Sequence, residues 1–132
     1  MENKYKIWIW GRIKSFIFAF AGLKDMLKTQ HNAWIHGVMT ILVLLVSWWL
    51  GLDPARFGII VLAIVGVWVA EAFNTVSEVV ADIVSSRYSI GVKRAKDIAA
   101  GAVLIAAIGS VLIGITVLGP PLYQRFLEIA QS

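Results

Sequence analysis

Three carboxylates fall on one stripe of a predicted helix within a strongly apolar chain. Glu78 and Asp82 follow Glu71 by seven and eleven residues, so on a helix all three point within about 60° of one another, with Asn74 on the flank. Carboxylates near lipid are costly unless they pair, bind a cation or reach water, so the stripe is a candidate functional site. The alternative is that these side chains join neighbouring helices by hydrogen bonds, but such contacts usually need a single Asn, Ser or Thr.

Phosphoryl transfer is the chemistry that this stripe would serve. Fourteen residues without charge, 57–70, precede Glu71 and span about 21 Å, which puts Glu71 about 9 Å inside the cytoplasmic edge of a ~30 Å hydrocarbon core. Asp82 then lies in cytoplasmic water. Phosphoryl transfer needs an acceptor for the hydroxyl proton, carboxylates for Mg²⁺ and cations for phosphates. Three cationic residues follow on the same side: Lys93, Arg94 and Lys96.

The composition requires lipid around most of the chain. Of 132 residues, 59% are hydrophobic and 15% are charged, which is too apolar for an ordinary soluble domain. The length predicts one membrane domain, residues 1–132, with few spans, and its intramembrane polar groups would be sheltered by self-association. The absence of cysteine excludes disulfides and thiol chemistry. The basic residues are sorted by loop and do not form one face, so a nucleic-acid partner is not expected.

The hydropathy pattern predicts an all-α integral membrane fold, with an N-terminal amphipathic surface helix followed by three transmembrane helices. The surface helix covers residues 1–30, and the alternative for it is a soluble helix packed on a partner. The spans cover residues 35–50, 57–84 and 98–118, the second having a polar cytoplasmic half. No sequence of the P-loop or soluble-kinase type accompanies them.

Turn residues and small residues delimit these spans. Gly51, Asp53 and Pro54 predict a turn after the first span, and Pro120 and Pro121 predict the end of the third. A small-residue stripe in the third span, at four-residue spacing, predicts close contact with another helix. Its members are Ala106, Ser110 and Gly114.

The distribution of basic residues predicts the orientation. Six Lys or Arg residues precede the first span and four separate the second from the third, whereas only Arg56 and Arg125 lie on the other side. By the positive-inside rule, the N-terminus and the second-to-third loop are cytoplasmic and the C-terminus is outside.

The polar stripe and its surroundings resemble the signature of the prokaryotic diacylglycerol kinase and undecaprenol kinase family. The segment Glu71-Ala-Phe-Asn74-Thr75-Val-Ser-Glu78-Val-Val-Ala-Asp82 is followed fourteen residues later by Lys96-Asp97. Two further segments match the family's surface helix and the start of its first span: Lys14-Ser15-Phe16 with Ala21-Gly22-Leu23, and Asn32-Ala-Trp-Ile-His36. The resemblance implies an ATP- and Mg²⁺-dependent lipid kinase of the bacterial cytoplasmic (inner) membrane. It also implies a homotrimer whose sites at the cytoplasmic boundary are built from neighbouring chains.

The resemblance also assigns roles to particular residues. Glu71 matches the family's catalytic base, Asn74 supports it, and Glu78 matches a Mg²⁺ ligand. The positions implied to bind the nucleotide are Glu78, Asp82, Lys96 and Asp97. Arg87 and Tyr88 are added because the loop Arg87, Tyr88, Ser89 corresponds, by ungapped spacing, to another nucleotide-contacting stretch of the family. Gln30 stands where some members have a second metal-binding Glu, and an amide oxygen binds Mg²⁺ less strongly than a carboxylate. Gln30 is therefore either a weak metal ligand or a polar residue before the first span.

Three questions stay open at this point. His36 is read as an interhelix hydrogen-bond donor, with a proton shuttle as the alternative. A small proton- or cation-coupled transporter using Glu71 is the alternative function, although a transporter's acid should lie near the midplane; a noncatalytic assembly subunit is a third reading. The acceptor is a lipid alcohol, diacylglycerol or undecaprenol, and the Asn32 and His36 pattern resembles the undecaprenol kinase branch.

Overall fold

The part of the chain that the structure describes folds into four helices. A computed structural model describes the backbone of residues 2–84 and 89–131, and the side chains of those ranges from residue 10 onward. The helices are α1 (Glu2–Thr29), α2 (His31–Trp49), α3 (Pro54–Val84) and α4 (Ile90–Ala130). Three of them, α2, α3 and α4, are long and apolar enough to cross a membrane. The all-helical prediction is therefore confirmed.

The turn between α2 and α3 is specified by Gly51, Asp53 and Pro54. Gly51 adopts φ 62°, the left-handed conformation that favours glycine. Its N–H donates to Trp48 O at 3.0 Å, and Leu52 N–H donates to Ser47 O at 3.3 Å, the pair of bonds that ends a helix in a Schellman motif. Asp53 then accepts from the backbone N–H groups at the start of α3, where Pro54 occupies the first helical position. The turn predicted here is present.

The fourth helix differs from the sequence-based expectation. The segment predicted to end at Pro120 and Pro121 continues as helix through both prolines to Ala130. Proline removes only its own N–H and crowds one carbonyl, and membrane helices tolerate this because the surroundings favour continued intrahelical bonding. Beyond the prolines, Arg125 pairs with Glu128 at 2.9 Å and its guanidinium lies 5.9 Å from the ring centre of Trp49 on α2. The second of these contacts brings the C-terminal extension near the end of α2.

The α3 helix is the centre of the packing. Its buried side chains recur at spacings of three, four and seven residues, which is one helical face. They are Ile60, Val67, Glu71, Asn74 and Ala81. α3 packs most extensively on α4 and also contacts α2 and α1. The large side chains left exposed on α2, α3 and α4 are predominantly apolar, as a lipid-facing surface requires.

The small-residue stripe on α4 has open space beside one of its members, Gly114. A Cβ added at Gly114 would meet nothing within 4 Å. Ser110 and Gly114 instead line an open volume between α2, α3 and α4. At Gly114 the described part of the chain therefore shows no close approach of another helix, and the role of the whole stripe stays a prediction.

Candidate functional site

Glu71 is a carboxylate buried at the packing face of α3. It is 0% exposed, and within the described residues neither of its carboxylate oxygens has a hydrogen-bond partner. Its backbone carbonyl accepts a hydrogen bond from Thr75 Oγ1 at 2.9 Å, so the Thr75 hydroxyl binds the backbone of α3 and not the Glu71 carboxylate. The carboxylate lies near His36 of α2, whose Nε2 is 3.8 Å from Glu71 Oε2. Glu71 is thus buried, close to one imidazole and without a side-chain hydrogen bond to any described residue.

Glu78, two turns further along α3, receives two amide hydrogen bonds. Gln30 Nε2 donates to Glu78 Oε2 at 2.9 Å, and Asn74 Nδ2 donates to Glu78 Oε1 at 3.3 Å. The first bond joins the residue between α1 and α2 to α3 across 48 positions of sequence. Asn74 thus donates to Glu78 and makes no hydrogen bond to the Glu71 carboxylate in the described structure, so its support of Glu71 stays a prediction. Gln30 and Glu78, predicted to share a metal, do lie together.

The donor set around Glu78 fits a Mg²⁺ ion completed by other ligands. Mg²⁺ prefers oxygen and is usually held by one or two carboxylates plus substrate phosphates and water. Glu78 provides the carboxylate, and Asn74 Oδ1 is buried with no hydrogen-bond partner in the described structure. The amide of Gln30 presents its nitrogen to Glu78 and would have to turn its oxygen inward to join. Within residues 2–84 and 89–131 no group of three His, Asp or Glu residues is assembled, so phosphate oxygens would be needed.

The predicted nucleotide-binding residues at the C-terminal end of α3 and the start of α4 form two ion pairs. Lys96 Nζ lies 2.5 Å from Asp82 Oδ1 and so links α4 to the end of α3. Lys93 Nζ lies 2.6 Å from Asp97 Oδ2, one turn apart on α4. These side chains are accessible to a nucleotide, since Asp82 and Asp97 are exposed and Lys96 is partly so. Two further predicted residues, Arg87 and Tyr88, lie outside the described residues.

An apolar cavity of about 430 Å³ reaches His36, the imidazole that lies near the buried carboxylate. It lies between α2, α3 and α4, and its walls include Ile60, Val67 and Ala107. His36 belongs both to the cavity wall and to the contact with Glu71. Among the polar wall groups, Thr40 Oγ1 already accepts from Trp68 Nε1 at 3.0 Å, which also satisfies the indole and joins α2 to α3. The cavity is therefore large and apolar enough to hold a hydrocarbon segment beside His36.

The sequence indicated the carboxylate stripe but not the residues that surround it. The spacing of Glu71 and Glu78 predicted one helical face, which α3 contains. The proximity of His36 to Glu71 depends on how α2 packs against α3, and the only signal for it was a polar residue near the start of an apolar span. The cavity-lining residues have ordinary apolar side chains, so no sequence signal distinguished them.

Comparison with known proteins gives consistent matches over most of the chain. The family model for prokaryotic diacylglycerol kinase matches residues 17–118. A diacylglycerol kinase of Synechocystis sp. is 38% identical over 109 residues, which cover 82% of this chain and 62% of that relative, less than two thirds of its length. An undecaprenol kinase of Bacillus subtilis is 33% identical over 109 residues, covering 83% and 89%. A diacylglycerol kinase of Escherichia coli K12 is 32% identical over 100 residues, covering 76% and 82%.

Proposed function

Because this chain belongs to the prokaryotic diacylglycerol kinase family, we propose that it is a membrane lipid kinase. It transfers the γ-phosphoryl group of ATP, with Mg²⁺, to the hydroxyl of a lipid alcohol at the cytoplasmic membrane boundary. The acceptors named for its relatives are diacylglycerol and undecaprenol, and the chain would use one of these or both.

The observation that carries this proposal is the order of three environments along α3. Glu71 is buried and adjoins an apolar cavity through His36. Glu78 follows at about 10 Å and Asp82 at about 16 Å along the helix axis, the latter paired with Lys96. An apolar acceptor and a charged, water-soluble donor can therefore approach the same helix from opposite directions. A proton- or cation-coupled transporter has no need for the Lys96 and Glu78 arrangement.

Glu71 supports the transfer as general base. It accepts the proton of the acceptor hydroxyl as the hydroxyl oxygen attacks the γ-phosphorus. A new oxygen–phosphorus bond forms while the bond from that phosphorus to the β,γ-bridging oxygen breaks, and ADP leaves with the electron pair. Glu71 later releases the proton to water. Because Glu71 is buried, it does not readily activate a water molecule in place of the acceptor hydroxyl, which limits ATP hydrolysis.

Glu78 would hold Mg²⁺ together with the unpartnered oxygen of Asn74, and Gln30 would contribute if its amide turned. When bound there, the ion supplies positive charge to the phosphate oxygens of the donor. Lys96 would contribute further positive charge once phosphates compete with Asp82 for it. Asp97, Arg87 and Tyr88 complete the proposed nucleotide contacts.

The remaining parts of the proposal concern assembly and orientation. α2, α3 and α4 cross the cytoplasmic membrane, with the N-terminus in the cytoplasm and the C-terminus outside, in agreement with the distribution of basic residues. α1 lies on the membrane surface as an amphipathic helix, and three chains form a homotrimer whose sites combine residues of neighbouring subunits. Family membership supports these features.

The test is transfer of labelled γ-phosphate from Mg-ATP to diacylglycerol and to undecaprenol, presented separately in mixed micelles with the purified protein. We expect one of the two lipids to be phosphorylated at a rate far above that in micelles without lipid acceptor. Failure to label either lipid would contradict the proposal. ATP-independent proton or cation flux in reconstituted vesicles would then favour a transporter.

A further inference from the structure

We propose that His36 is a positioning residue for Glu71: its Nε2–H holds Glu71 Oε2, so that Oε1 faces the acceptor hydroxyl. This inference rests on the proposed kinase function, and it adds no covalent step to the transfer. The proton still passes from the hydroxyl to Glu71, and the imidazole keeps its own proton throughout. The proposal follows from the contact between α2 and α3, the burial of both groups and the position of the cavity.

The geometry singles out His36 as the partner of the buried carboxylate. Nε2 of His36 and Oε2 of Glu71 are 3.8 Å apart, and the two side chains are 18% and 1% exposed. Both Glu71 oxygens lack hydrogen bonds in the described structure. A buried carboxylate without a donor loses its hydration and gains nothing in exchange, which costs several kcal/mol. One N–H donor at this position removes much of that cost and fixes the carboxylate's rotation.

The lysines of the site are too distant to perform the same task. Lys96 is held by Asp82, eleven residues and about 16 Å beyond Glu71 along α3. Glu78 is the other charged group that faces Glu71, and it repels rather than anchors a carboxylate. The imidazole on α2 is therefore the donor that the fold supplies at the depth of Glu71.

The present separation is longer than a hydrogen bond but needs only a small movement to become one. An N–H···O bond has a donor–acceptor distance near 2.9 Å, so a side-chain shift of about 1 Å is sufficient. Hydrogen bonds in catalytic sites commonly tighten when substrate binds. His36 also lines the cavity proposed to receive the lipid, so an acceptor filling that cavity contacts the imidazole that lies beside Glu71.

A purely structural role for His36 makes a different prediction. If the imidazole only joined α2 to α3, its loss would lower the melting temperature and would affect kcat no more than other packing changes. A positioning residue acts through Glu71, so its loss lowers kcat while leaving the KM for ATP unchanged, and the loss disappears when Glu71 is no longer a base. These outcomes separate the two roles.

The experiment compares three substitutions in the full chain: His36→Gln, His36→Asn and His36→Leu. The glutamine amide N–H reaches about as far as Nε2 of histidine, the asparagine amide reaches only as far as Nδ1, and leucine has no donor. His31→Leu is the matched control, because His31 is the other histidine of the chain and is exposed at the first residue of α2. Each protein is assayed for kcat and for the KM of ATP with the lipid that the wild type phosphorylates.

We expect His36→Leu and His36→Asn to lose at least about tenfold in kcat with the KM for ATP unchanged, since a misplaced base is costly. His36→Gln should keep most of the activity and His31→Leu all of it. In a Glu71→Gln background, His36→Asn should cause no further loss. Equal activities of the Gln and Asn variants, or an undiminished loss in that background, would overturn the inference. Because the wild type must be active for this comparison, a failure of the kinase proposal is seen first and separately.

Discussion

Replacing Gln30 with Glu turns the amide that donates to Glu78 into a second carboxylate. We expect this substitution to destabilise the protein without Mg²⁺ and to strengthen Mg²⁺ binding when the ion is present. Gln30 Nε2 lies 2.9 Å from Glu78 Oε2, and the contact is partly buried. Two unit negative charges at that separation repel by roughly 5 to 6 kcal/mol at an effective dielectric constant of about 20. Rotation of the new side chain toward water relieves part of this. We therefore expect Gln30→Glu to lower the stability of the metal-free protein by about 2 to 3 kcal/mol.

Bound Mg²⁺ should reverse the effect, because a second carboxylate is a stronger ligand than an amide oxygen. A tenfold lower Mg²⁺ requirement corresponds to about 1.4 kcal/mol, which is a small part of the repulsion that the ion would remove. We therefore expect the Mg²⁺ concentration for half-maximal lipid phosphorylation to fall at least about tenfold in Gln30→Glu. The same ion should restore the melting temperature that the substitution lowers.

The assay is a Mg²⁺ titration of lipid phosphorylation together with thermal unfolding at zero and saturating Mg²⁺. Gln30→Leu removes the amide donor without adding charge, and it should destabilise the protein with no gain in Mg²⁺ use. Thr29→Glu adds the same charge at the adjacent exposed position and should change neither quantity. If Gln30→Glu left the Mg²⁺ requirement unchanged, or if Thr29→Glu lowered it equally, the assignment of this metal site would be refuted.

Three further substitutions test other contacts. Glu78→Gln should raise the Mg²⁺ requirement, with activity partly recovered at high Mg²⁺; an unrecoverable defect with intact ATP binding would exclude Glu78 as a metal ligand. Lys96→Met should raise the KM for ATP about tenfold and hardly change the melting temperature, because its pair with Asp82 is exposed and worth at most about 1 kcal/mol. An unchanged KM would remove Lys96 from the nucleotide site. Trp68→Phe deletes the donor to Thr40 and should cost about 1 kcal/mol in the free energy of unfolding with kcat intact; a large loss of kcat would show that this bond shapes the active site.

The helices and the turn between α2 and α3 were predictable because local residue chemistry determines them. Gly51, Asp53 and Pro54 each perform a task that few other residues can, and the structure uses all three. The continuation of α4 through Pro120 was not predictable from local sequence, because proline usually ends a helix and only the membrane surroundings favour continued intrahelical bonding. The contact of Arg125 with Trp49 of α2 likewise has no signal in the local sequence of α4.

The candidate site was predictable along one helix but not between helices. Helical spacing alone aligned Glu71 with Glu78. The hydrogen bond from Gln30 to Glu78 joins residues 48 positions apart and depends on how the end of α1 packs against α3. The sequence therefore did not indicate that Gln30 donates its amide N–H to Glu78. Asn74 was expected to serve Glu71, yet its side chain turns toward Glu78 because both lie on the same side one turn apart. His36 required the packing of α2 on α3 before its relation to Glu71 was visible.

The most direct test of the central claim, that Glu71 takes the hydroxyl proton during phosphoryl transfer to a lipid alcohol, is a single-turnover comparison of wild type and Glu71→Gln. Labelled ATP with Mg²⁺ and saturating lipid are mixed with excess enzyme, and phosphorylated lipid is measured over time. We predict that Glu71→Gln folds and binds ATP normally but transfers phosphate roughly 10² to 10⁴ times more slowly, the usual effect of removing a general base. Transfer by Glu71→Gln at the wild-type rate would contradict this role.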